Sequence, residues 1–188
     1  MINLSKGSKI NLQKEKPGIE RIAVGLGWDV NEGSSQYPFD LDASVFITNA
    51  EGKLIEDEYF VFYNNKISPD GAVVHTGDNR TGAGEGDDET INIDLSKLNP
   101  AAAQIVFAIT IDDAKKRAQD FGMVPNAFAH IYNRDTNELF VEYNLSGNFA
   151  GADAVLIGRF WKGPAGWEFE ALDNAYTDGL AGLVEFYQ

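Results

Sequence analysis

The chain contains no cysteine, which excludes disulfides and thiolate metal sites and leaves the cellular compartment open. It has two histidines, His75 and His130, without the His-x-x-x-His spacing or cysteine partners that zinc sites favour. Positive charge is also scarce. Lys and Arg number 15 against 29 Asp and Glu, a net charge of −14, which argues against nonspecific binding to nucleic acid or anionic membranes. No apolar run approaches the roughly 20 residues needed to cross a bilayer. The opening segment MINLSKGSKINLQKEKPG lacks the apolar stretch and cleavage pattern of a signal peptide. Cytoplasmic residence without membrane insertion is therefore the expectation. Neither a Walker A sequence nor Gly-x-Ser-x-Gly occurs. Gly25-Leu26-Gly27 lacks the third glycine of a dinucleotide fingerprint and reads as a tight turn.

At 188 residues and 44% hydrophobic, the chain can bury the core of a single domain, taken as 1–188. Most of it reads as strands. IERIAVGLGW (19–28) and FDLDASVFI (39–47) are separated by the loop NEGSSQYP, and YFVFY (59–63) is a short aromatic strand. TINIDL (90–95) places Ile91, Ile93 and Leu95 on one face, and QIVFAITI (104–111) has the apolar, β-branched character of a central strand. Turn signals at 133–137 and 162–166 predict two hairpins. Asp112 is a candidate N-cap for a helix reaching Gln119, with Gly122 beyond its end. Leu180, Leu183, Val184 and Tyr187 form an amphipathic stripe near the C-terminus. The fold class predicted is mainly β: a β-sandwich of two mostly antiparallel sheets with a few short helices.

The most informative segment is DNRTGAGEGDDE, 78–89, with five acids against one arginine and glycines at 82, 84 and 86. Like charges about 5 Å apart, at an effective dielectric of ~20, repel by roughly 3 kcal/mol per pair. A hard divalent cation relieves such repulsion, and calcium takes oxygen ligands from flexible, carbonyl-rich loops. The loop is not an EF-hand, because positions 3 and 5 are Arg80 and Gly82 and no helices are expected to flank it. The alternative is a solvated acidic excursion, although predicted strands anchor it at both ends.

Strand alternation in 39–43 puts Asp40 and Asp42 on one face, Cα atoms about 6.8 Å apart, opposite Phe39, Leu41 and Ala43. Alone, this segment fits better as the solvated face of an edge strand. Asn64, Asn65 and Asp70, near the end of another predicted strand, add oxygens that shift the balance towards a cation site. His75 reads as a hydrogen-bonded strand-end residue. Trp28, Trp161 and Trp167 read as packing residues.

The ordered set VGLGWD (24–29), FDLDAS (39–44), FYNN (62–65), VHTGDNRTG (74–82), GDDE (86–89), Phe121-Gly122 and GLAGL (179–183) resembles the TerD-domain family, associated with tellurite resistance and general stress response. The likeness covers nearly the whole chain. It implies a cytoplasmic, non-catalytic β-sandwich that binds Ca²⁺, two ions in all. Carried over position by position, the ligands are Asp40, Asp42, Asn64, Asp78, Asn79, Asp87, Asp88 and Glu89, with carbonyls near Thr81 and Gly84. The resemblance also implies a scaffold or sensor that recruits other stress-response proteins, meeting a membrane only through them. Departures at Tyr176-Thr177-Asp178 and at His130 leave the acidic loop untouched. The competing function is a metal-dependent hydrolase or phosphoryl-transfer enzyme on the same acids. Against it, Arg80 is the only cation inside the loop.

Overall fold

The computed structural model describes residues 7–15, 17–33, 35–84, 86–146, 149–164 and 166–188. Glu85 and the first six positions, part of the sequence readings above, lie outside the described residues. Strands are numbered in chain order. One antiparallel sheet has the order β1 (Lys9–Asn11), β11 (Gly166–Tyr176), β10 (Ala154–Gly163), β7 (Gln104–Ile111), β3 (Leu41–Thr48), β4 (Phe60–Val61). The other runs β5 (Val73–His75), β6 (Glu89–Asp94), β2 (Arg21–Gly27), β8 (Phe128–Asn133), β9 (Leu139–Asn144).

Alternation explains how the sheets face each other. Ile22, Val24 and Leu26 of β2, with Ile91 and Ile93 of β6, pack in one core with Leu41, Ala43, Val45 and Ile47 of β3 and Ile105, Phe107 and Ile109 of β7. The opposite face of β3 and β7 carries a second apolar cluster. There Phe46, Val106 and Ala108 meet Leu183 and Tyr187 of the C-terminal helix, Gly179–Tyr187, which places the predicted amphipathic stripe against the sheet. The predicted strands and both hairpins are present, and the sandwich is as expected.

Three local expectations are corrected. The 59–63 strand shrinks to β4, preceded by a 3₁₀ turn at Asp57–Tyr59. The helix predicted over 112–119 is only Ala114–Arg117, bounded by left-handed Asp113 (φ 50°) and Ala118 (φ 51°). Asp112 does not cap it. Its N–H bonds the Asp40 carbonyl at 2.8 Å, one step beyond the β3–β7 ladder. Gly25 and Gly27 are not a turn either, since both lie inside β2. A Cβ on Gly25 would stand 1.9 Å from Asp87 Oδ2, and one on Gly27 would stand 2.2 Å from the Phe128 ring. These glycines let the acidic loop and Phe128 lie directly on the sheet.

Candidate metal centre

β4 pairs only with Val45 and Phe46, so the first half of β3 has no strand on that side. The acidic loop fills this gap. Glu89 begins β6 on the inward face, in phase with Ile91 and Ile93, and is 1% exposed. Its Oε2 accepts the Ala43 N–H of β3 at 2.8 Å, and its Oε1 accepts the Asn79 N–H at 3.3 Å. One carboxylate thus ties the two sheets and the loop together. His75, buried at the end of β5, has Nε2 3.4 Å from Glu89 Oε2, but among the described residues neither ring nitrogen has a well-aligned hydrogen bond.

On the outer face of β3, Asp40 and Asp42 are each 5% exposed. Although this half of β3 has no strand on one side, the pair is buried and is not a solvated edge. With Asp78 they form a cluster whose ligand oxygens all lie within 4.8 Å of one another. Asp40 has counterions: Arg80 Nε at 3.4 Å and Arg117 Nη1 at 3.7 Å. Asp42 has none. Among the described residues no donor bonds its carboxylate, and burial, then the charges of Glu89, Asp40, Asp112 and Asp78, push it up to about 8. Burial likewise raises Asp40 despite Arg80, and raises Glu89 despite the neighbouring His75 and the Ala43 N–H. Tyr63 and Asp112 complete the walls of the cleft around these acids. Asp112 was missed as a site residue, though it follows β7 one step past the Leu41–Ile111 pair, where the register sets it beside Asp40.

The rest of the loop is organised differently. Asn79 Oδ1 accepts the N–H groups of Thr81 and Gly82 at 3.1 and 3.2 Å, and Thr81 Oγ1 at 3.3 Å. Asn79 Nδ2 donates to Asp88 Oδ1 at 2.7 Å, while Asp88 Oδ2 accepts the Trp28 N–H at 2.9 Å. Burial raises the Asp88 carboxyl, and that N–H opposes the shift. Gly84 (φ +153°) lies against Asp88. Asp87 turns the other way, onto Gly25, with Oδ1 3.0 Å from His130 Nδ1, so the departure at His130 does touch the acidic loop, contrary to expectation. Asn64 is exposed and does not line the cleft. Asn65 donates to the Glu58 and Phe60 carbonyls, and Asp70 accepts from Ser68, Ala72 and Asn99. Both of these serve turns away from the acids.

Three carboxylates, with no nitrogen or sulfur donor among the described residues of the cluster, would suit a hard cation such as calcium or magnesium. The cations missing from the loop arrive from the short helix Ala114–Arg117. Arg117 Nη2 is 2.9 Å from Asp112 Oδ2, and Lys115 and Lys116 line a cavity of about 370 Å³ that shares Asp42, Tyr63 and Asp112 with the acidic cleft.

The TerD domain model matches residues 1–187. The chain belongs to the TerD domain family. This TerD domain is 44% identical over 186 residues to general stress protein 16U of Bacillus subtilis, covering 99% of the chain and 96% of that protein. It is 41% identical to the tellurium resistance protein TerD of Serratia marcescens, again covering 99% and 96%. A crystal structure of a TerD homologue from Streptomyces coelicolor A3(2) superposes with a TM-score of 0.75 at 23% identity, covering 89% of this chain and 96% of that one. The family is thus one of tellurium resistance and general stress response. Among the described residues no helix is long and apolar enough to cross a membrane.

Proposed function

We propose that this TerD domain binds calcium at Asp40, Asp42 and Asp78 and acts in the stress response as a non-catalytic scaffold or sensor in the cytoplasm. The observation that carries the reading is Asp42: buried, without a hydrogen-bonding partner among the described residues, and surrounded by other acids. A buried carboxylate in that setting is costly unless a cation joins it. The bound ion would supply that charge, while Glu89 holds the two sheets and the loop in register around it. A cation that binds only the folded form, at a hundredfold excess over Kd, stabilises it by about 2.7 kcal/mol. Calcium would thereby order the surface that recruits other stress-response proteins.

A second ion belongs to the loop itself, on Asp88 and Asn79 with carbonyls near Thr81 and Gly84. It must first displace the hydrogen bonds those side chains make to each other, and Asp87 must leave His130. We expect it to bind more weakly than the first. Pull-downs from stressed cells with calcium or with chelator test the recruitment role. Different partners in the two conditions support it, and identical partners refute it. Turnover of phosphomonoesters or phosphodiesters with Mg²⁺ or Mn²⁺, lost in Asp42→Asn, would replace the non-catalytic reading with the enzymatic one.

A further inference from the structure

We propose that Arg80 is a releasable counterion of the metal centre: its guanidinium holds Asp40 in the metal-free fold and is expelled when a divalent cation binds, while Arg117 stays in place. This rests on the calcium reading and adds a residue that governs how the site fills.

Two arginines reach the same oxygen, Asp40 Oδ2: Arg80 through Nε at 3.4 Å and Arg117 through Nη1 at 3.7 Å. They are held very differently. The Arg80 side chain is 69% exposed and has no second acceptor among the described residues. The Arg117 side chain is 16% exposed, and its Nη2 also donates to Asp112 Oδ2 at 2.9 Å. An exposed pair with a single contact contributes little, whereas removing a largely buried arginine with two acids on it leaves both of them unpaired.

The chain around Arg80 lets the side chain leave alone. The Asn79 N–H bonds Glu89 Oε1 at 3.3 Å and the Thr81 N–H bonds Asn79 Oδ1 at 3.1 Å, which pins the backbone on both sides. Release therefore needs rotation of one long surface side chain, a fast motion, and no rearrangement of the loop.

Electrostatics supplies the reason for it to leave. The ligand oxygens of Asp40, Asp42 and Asp78 lie within 4.8 Å of one another, and Arg80 lines the same cleft. Among the described residues neither Asp42 nor Asp78 has an ion-pair partner, so Asp40 is the ligand that an incoming cation must win from a competitor. A divalent ion sharing Oδ2 would lie within roughly 6 Å of the Arg80 Nε. At that range the repulsion of two charges on one exceeds what an exposed pair contributes, even at the dielectric of water. Arg117 feels the same repulsion and is kept by its bond to Asp112.

The test follows the arginine Nε–H signals of ¹⁵N-labelled, chelator-stripped full-length protein during a calcium titration at constant ionic strength, with calorimetry in parallel. We expect the Arg80 signal to move to the position of a free guanidinium and to exchange faster with water, while Arg117 keeps its slow exchange. Arg80→Gln should tighten calcium about fivefold. The control Lys116→Gln removes an equal charge that pairs with Asp113 rather than Asp40, and should change the affinity less than twofold. An Arg80 signal unmoved by bound calcium overturns this proposal and leaves the metal reading intact. So does an Arg80→Gln variant that binds no tighter than Lys116→Gln. Failure of calcium to bind the wild type overturns both.

Discussion

Replacing Asp42 by Asn removes one charge from a buried cluster of acids, and the consequence can be worked out. In the unfolded chain an aspartate titrates near 3.9; in the metal-free fold Asp42 is pushed up to about 8. Between those values the folded state holds a proton that the unfolded state has released. Stability therefore falls as pH rises through the window, by about 1.4 kcal/mol for each pH unit. From pH 5 to pH 8 the loss is about 4 kcal/mol, a large part of the 5–15 kcal/mol typical of a whole domain. Asp40, Asp88 and Glu89, also raised, act in the same direction. Asparagine keeps the shape and cannot ionise. Urea unfolding in chelator at pH 5, 6.5 and 8 should show the wild type weakening with pH and Asp42→Asn weakening much less, so that the variant is the more stable at pH 8. Adding calcium should reverse the ranking. A metal-free wild type equally stable at pH 5 and pH 8 would refute the reasoning, as would a variant weaker than wild type at pH 8 in chelator.

Glu89→Gln keeps an acceptor for the Ala43 N–H while removing the charge that most raises Asp42 after burial, so the same pH series should flatten, though less than in Asp42→Asn. Gly25→Ala places a methyl where the Asp87 carboxylate lies; it should cost about 1–3 kcal/mol and shift the His130 ring signals by NMR. Leu183→Ala empties a 2% exposed position beneath the C-terminal helix and should cost about 2–5 kcal/mol by chemical denaturation. Tm unchanged within a degree in either of the last two would contradict the packing described.

Much of this arrangement is legible from period-two patterning. The alternation of 39–43 sets Asp40 and Asp42 on one face, and the same rule applied one residue before Thr90 turns Glu89 inward with Ile91 and Ile93. Burial of the Asp40–Asp42 face is not legible locally, because its cover comes from Asp78, Asp112 and Tyr63, brought in by the fold from elsewhere in the chain. Asp112 looks like the cap of the following helix and is not, since its N–H continues the ladder to the Asp40 carbonyl and Asp113, in the left-handed region, stands between it and Ala114. Asp87 and Asp88 are neighbours of equal chemistry in the sequence. The structure separates them, and what decides is Gly25, whose missing side chain opens the seat for Asp87 on the far side of the loop. Gly25 carries a local signal, a glycine inside an otherwise apolar strand, which marks close backbone approach rather than a turn.

The most direct test of the metal reading is a calorimetric titration of chelator-stripped protein with calcium, with magnesium in competition, for wild type and Asp42→Asn. The account predicts selective calcium binding that raises Tm in the wild type, with the tighter phase lost in the variant. Absence of binding, preference for magnesium, or unchanged affinity in Asp42→Asn would contradict it.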